Sequence, residues 1–174
     1  MTEAYKIASI PLPNGSRIGI APQPGLRNPL SDDLDVITNW YPQMLVSLTE
    51  PSEALDARSA PMSLMLEDRG IEWVQFPIRD FDVPSPVMTQ FWAEVSARIH
   101  DCLCHGGSVL LHCRGGMGRS GMVALRLLRE RGLSRRRSLG MVRSAQPGAI
   151  ETEPQLNWGL YGFQGQLFEQ LVAS

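Results

Sequence analysis

Cys113, Arg119 and Ser120 bracket a glycine-rich run, Cys113-Arg114-Gly115-Gly116-Met117-Gly118-Arg119-Ser120. Within eight residues it offers a nucleophile, a planar cation and a hydroxyl. The apolar stretch Ser108 to His112 precedes it and a helix is expected from about Arg119 to Arg131. A strand, a glycine loop and a helix N-terminus in that order build an anion cradle. Successive N–H groups turn inward and the helix end adds partial positive charge. Gly115, Gly116 and Gly118 are expected to take positive φ or let the backbone approach a ligand closely. Arg114 and Met117 fill the remaining loop positions. The cradle, the helix end and Arg119 all favour a thiolate at Cys113. A thiolate facing a bound phosphate is a nucleophile. Arg119 can fork two phosphate oxygens, which a lysine cannot. Ser120 can donate its hydroxyl to the Cys113 sulfur and help the thiolate leave when a phospho-cysteine is hydrolysed. An inert, packed cysteine needs neither three glycines nor an arginine six positions on.

The leaving oxygen needs a proton, so a carboxylic acid must reach the cradle from another loop. Asp80 and Asp82 both lie in Arg79-Asp80-Phe81-Asp82-Val83-Pro84. Spacing alone leaves both open, the other one capping a turn or pairing with an arginine. The same carboxylate would then act as base toward water.

The elements that must position these groups alternate strand-like and helix-like. That pattern implies an α/β fold with a central, mostly parallel or mixed sheet of about five strands flanked by helices. Lys6 to Leu12 and Arg17 to Ala21 read as a hairpin turning at Pro13-Asn14-Gly15. Gln43 to Leu48 and Ile71 to Pro77 read as strands, and Ser108 to His112 as the central one. Ser31 is expected to cap a helix through Trp40. Glu50 to Ser59 reads as a loop or short helix, and a helix from Ser59 or Ala60 should stop at Gly70. Ser85 with Pro86 should open a long helix whose buried stripe is Val87, Phe91, Val95, Ile99 and Leu103. Gly132 closes the helix after the cradle, Ser134 caps another to about Ala145, and Thr152 caps the last, through Val172.

Residues 1–174 read as one domain, without repeat or linker. The net charge of −2 gives no global cue for nucleic acid or an anionic membrane. Only Lys6 is a lysine, and nine arginines fall between Arg114 and Arg143. That span is expected to be locally positive and to draw anionic ligands, against a plainer reading as solvated helix faces. Cys102, Cys104 and Cys113 lack the spacing of a disulfide framework or zinc site, so no metal is expected. A reducing, cytoplasmic setting fits. The start of the chain has no signal-peptide pattern, and no apolar run is long enough to insert in a membrane. Cys102 or Cys104 is a candidate for a protective disulfide with oxidised Cys113, with simple packing as the alternative.

His112-Cys113-x5-Arg119-Ser120 resembles the signature of the protein tyrosine and dual-specificity phosphatases. The chain most resembles small enzymes of the kinase-associated phosphatase kind from roughly Gln43 onward. It shares with them Pro77-Ile78-Arg79-Asp80 and Gly148-Ala149-Ile150-Glu151-Thr152-Glu153-Pro154-Gln155. The resemblance implies the cysteine-phosphatase fold, no cofactor, and a phosphorylated protein or peptide as partner. It selects Asp80 as general acid. His112 is expected to bond backbone beneath the loop and shape the Cys113 environment, with a plain packing histidine as the competing reading. The resemblance implies that Gln155 orients the water, with Thr152 on the matching loop; helix capping is the simpler role for these two. Rhodanese-type sulfurtransferases use a shorter loop without this arginine and serine. Inositol-phosphate enzymes of the family tend to carry loop lysines where this chain has Arg114 and Met117, which weakens a lipid reading. A non-catalytic phosphoprotein-binding module needs no nucleophile.

Overall fold

The computed structural model describes residues 4–53 and 61–163. Five strands form one mixed sheet: β1 (Ala8–Pro11), β2 (Arg17–Ala21), β3 (Met44–Ser47), β4 (Glu72–Gln75) and β5 (Ser108–His112), in the order β1-β2-β5-β3-β4. β1 pairs antiparallel with β2 and every other pair is parallel. The hairpin turns where expected, with Gly15 at φ 85° and its N–H on the Leu12 carbonyl. β5 is central and wholly buried, as a continuous apolar run in a parallel sheet should be.

The register brings Ala21, His112 and Ser47 side by side at the carboxyl edge of β2, β5 and β3. That edge is where open α/β sheets place ligand sites. On one face Leu110 and Leu45 meet α1 (Leu30–Asn39) and α2 (Met62–Glu67). On the other, Val109, Leu111 and Val46 meet α3 (Pro86–Cys104), α4 (Gly118–Glu130), α5 (Arg135–Ala145) and α6 (Glu153–Tyr161). None of the helices among the described residues is long and apolar enough to cross a membrane.

Caps follow the sequence closely. Ser85, Ser134 and Thr152 each accept an N–H from the first turn of their helix. Two expectations are corrected. α1 starts one residue before Ser31, with Pro29 at the cap and no side-chain cap bond. The backbone already turns helical after Pro29, so Ser31 falls inside the helix and its hydroxyl donates to Asp32 instead. In α3, Val95, Ile99 and Leu103 are buried but Val87 and Phe91 are exposed. Steps of four residues advance 400°, so a strict four-residue stripe winds around the helix. Met88 and Trp92 take the inward positions. The starts expected for α2 at Ser59 or Ala60, and the extension of α6 to Val172, lie outside the described residues.

Candidate active site

The cradle forms between β5 and α4. The carbonyls of Arg114, Gly116 and Met117 are drawn outward: Gln23 N–H donates to Arg114, Gln146 Nε2 to Gly116 at 2.8 Å, and the Gly121 and Ile150 N–H groups to Met117. Among the described residues no acceptor meets the N–H groups of Arg114, Gly115, Gly116, Met117 or Gly118. Five consecutive donors left open at a helix start form the anion site that the sequence leads one to expect.

The three glycines divide the work differently from expectation. Only Gly116 has positive φ, at 70°, and a Cβ there would stand 2.6 Å from Ala21 C and Pro22 N. Gly118 is needed for space, because a side chain there would run into Glu151 and Gln155. Gly115 needs neither; its Cβ direction meets nothing within 4 Å.

Cys113 follows β5 and is buried, with Sγ 3.3 Å from Ser120 Oγ. Beneath it, Trp73 Nε1 donates to Ser47 Oγ at 2.7 Å, and Ser47 lies 2.5 Å from His112 Nε2. The Cys113 carbonyl at Nδ1 can only accept, so the Nε2 of the neutral ring is the acceptor and the Ser47 hydroxyl donates to it. The imidazole N–H then sits on Nδ1, facing the Cys113 carbonyl at 3.4 Å. Burial pushes the His112 pKa down to about 4, with the Arg119 charge adding in the same direction. His112 is thus a neutral strut under the loop.

Arg119, in the first turn of α4, is 1% exposed. Nη1 donates to Glu53 Oε2 at 2.6 Å and to the Ile78 carbonyl at 3.0 Å, and Nη2 to Glu53 Oε1 at 2.9 Å. Asp80 Oδ1 stands 3.0 Å from Nη2. Nε is buried without a hydrogen-bond partner among the described residues. Hydrogen bonding to Arg119 holds the Glu53 carboxyl below the usual carboxylate range. Asp82 does not face the cradle in this way: its Oδ1 accepts the Val83 N–H within its own turn.

Gln155 is fully buried. Its Oε1 accepts the Glu151 N–H, and its Nε2 donates to the Asp82 carbonyl at 3.3 Å. Thr152 Oγ1 caps α6 by accepting the Gln155 N–H and donates to the Phe81 carbonyl. Both therefore tie α6 to the acid loop. Phe81, between Asp80 and Asp82, is exposed and held at φ 61°.

Glu53 and Gln146 were not legible in the sequence. Glu53 lies 66 positions from its partner in a segment with no regular pattern. Gln146 offered only an amide near the end of a helix. The arginine-rich third does not converge on the site. Arg119 is inside the cradle and Arg114 is exposed on its loop. Arg126 pairs with Glu130, Arg129 bonds the Leu160 carbonyl, Arg131 bonds the Cys104 sulfur, and Arg135 bonds and stacks on Tyr161. Nor can Cys102 or Cys104 reach Cys113. Cys102 packs at Gly107, before β5, and Cys113 follows β5. The strand between them spans roughly 16 Å, beyond the ~7 Å Cα separation a disulfide bridges.

A family model for the DSP-PTPase phosphatases of polymorphic toxin systems matches residues 19–132, most of the chain. The chain belongs to the DSP-PTPase phosphatase family. Protein 067L of Invertebrate iridescent virus 3, named provisionally as a tyrosine phosphatase, is 34% identical over 108 residues. That match covers 59% of this chain but 45% of the viral protein, so the chain spans about half the length of that relative. Tk-PTP in its active form is 31% identical, with TM-score 0.64 over 88% of this chain and 90% of its own. Kinase-associated phosphatase with its catalytic-site cysteine replaced by serine shares the fold at TM-score 0.79 and 23% identity, over 97% of this chain and 98% of its own. The family and the α/β mixed sheet expected from the sequence are both borne out.

Proposed function

We propose that this chain hydrolyses phosphate monoesters on proteins through a phospho-cysteine intermediate on Cys113. The observation that carries the reading is the run of five open N–H donors around Cys113, closed on one side by the buried Arg119 guanidinium and its unfilled Nε. A tetrahedral phosphoryl group supplies the acceptors both lack. The Cys113 thiolate attacks phosphorus, the ester P–O bond breaks, and Asp80 gives its proton to the leaving oxygen. Water then attacks the phospho-cysteine, Asp80 takes a proton from it, and the thiolate leaves with Ser120 donating to sulfur. Asp80 already stands on Arg119, which supports its choice over Asp82. Glu53 holds the guanidinium in place. Phosphotyrosine is the first substrate expected, with phosphoserine and phosphothreonine as further candidates.

The test is kinetic. Cys113→Ser should abolish hydrolysis of an aryl phosphate while phosphate still binds; retained turnover would refute the mechanism. Asp80→Ala should slow alkyl phosphates by about 10²–10⁴-fold and good leaving groups far less. Equal slowing would move the acid to Asp82.

A further inference from the structure

We infer that Gln23 is a positioning residue: its side-chain amide holds Glu53, and through Glu53 the Arg119 guanidinium, in place against the cradle. This rests on the phosphatase reading above and adds a residue to its machinery. The segment that carries Gln23 leaves β2 at the carboxyl edge of the sheet and runs against the cradle, where a Cβ on Gly116 would meet Ala21 C and Pro22 N at 2.6 Å. The segment is itself pinned. The Tyr5 hydroxyl donates to the Pro22 carbonyl at 2.7 Å, and the Leu26 N–H to the Gln23 carbonyl at 3.3 Å. From that base Gln23 reaches both halves of the anion site. Its backbone N–H donates to the Arg114 carbonyl at 3.1 Å, drawing that carbonyl out of the cradle, and its Nε2 donates to the Glu53 carbonyl at 3.1 Å.

Glu53 needs that hold. It ends a single 3₁₀ turn, Pro51–Glu53, too short to fix itself by helical bonding. Two of its ties stay inside the turn: its N–H donates to the Glu50 carbonyl at 2.9 Å, and its Oε2 accepts the Glu50 N–H at 2.8 Å. Apart from Arg119, Gln23 is its one hydrogen-bond partner beyond the turn among the described residues. The amide also does what packing alone would not select. A carbonyl only accepts, so the NH₂ group faces Glu53, and Oε1 is left buried with no donor among the described residues. A buried acceptor without a partner destabilises a fold. An apolar side chain of the same length would fill the space without that penalty. What glutamine adds is the Nε2 donor to Glu53.

The test sets activity against stability. Gln23→Met keeps the length and drops the amide. Its thermal midpoint should equal or exceed that of the wild type, because the unpaired oxygen is gone and water can reach the half-buried Glu53. Its kcat/KM on p-nitrophenyl phosphate should fall by about 10–10²-fold, with weaker inhibition by inorganic phosphate. Gln23→Leu should behave alike and covers the case in which methionine overpacks. Introduced into Glu53→Ala, where there is no carboxylate left to position, Gln23→Met should change kcat/KM by less than about twofold. A kcat/KM of Gln23→Met within about twofold of wild type would overturn the proposal. So would equal losses in the two backgrounds, or a midpoint that falls in step with activity, which is what a purely structural glutamine gives. A wild type that neither turns over p-nitrophenyl phosphate nor binds inorganic phosphate sinks the phosphatase reading and this role with it; an active wild type indifferent to Gln23 sinks only the positioning role.

Discussion

Gly115 and Gly116 are neighbours with opposite tolerances. Gly116→Ala adds a methyl group against the Ala21–Pro22 backbone at a positive φ, so it should cost about 2 kcal/mol or more of stability. Gly115→Ala meets open space at an ordinary φ and should leave the thermal midpoint nearly unchanged. Thermal melts of the two variants separate these cases, which the sequence could not, because a glycine pair reads alike at both positions. His112 gives a second prediction. Its folded pKa of about 4 lies below the ordinary 6.5, so it folds as the neutral form. Between these values the unfolded chain binds a proton that the folded one refuses. Stability from this group is therefore full above about pH 6.5 and falls toward pH 4, by about 3 kcal/mol. Urea midpoints measured across that window should show the slope, and His112→Gln should flatten it. Cys113, Arg119 and Ser120 were legible because one loop holds them. Glu53 was not, because only the fold brings it to Arg119.

At the scale of elements, caps and turns were readable because they are local chemistry. Ser85, Ser134, Thr152 and the Pro13-Asn14-Gly15 turn all carry the bonds their residue types imply. Faces were harder. In α3 the winding of a four-residue stripe moved Val87 and Phe91 into solvent, and Trp92 instead packs at 5.3 Å from Phe76 and 5.2 Å from Trp158. Phe91→Ser should consequently shift stability by no more than about 0.5 kcal/mol, whereas Ile99→Ala should cost about 2–4 kcal/mol. Paired denaturant titrations distinguish them; a large loss at Phe91 would mean that this face is covered. α6 is more than a cap for the fold. Through Thr152 and Gln155 it holds the carbonyls of Phe81 and Asp82, and so sets the height of Asp80 above the cradle.

At the scale of the molecule, the parallel order places the ends of β2, β5 and β3 together. Three separate stretches of chain thereby become one site. The α/β class and the central position of β5 followed from the alternating pattern, but the meeting of Glu53, Asp80 and Arg119 did not, because no periodicity links them. The distance of Cys102 and Cys104 from Cys113 has a consequence for life under oxidant. All three cysteines of the sequence are accounted for, and a sulfenic acid at Cys113 has no resolving cysteine within the fold. Its rescue must come from a thiol outside or from closure onto a backbone nitrogen as a sulfenamide, and without either the damage proceeds to the sulfinic acid. After peroxide and glutathione, mass spectrometry should find Cys113 carrying glutathione rather than bridged to Cys102 or Cys104. The supply of reductant around the molecule would then set how long its activity survives.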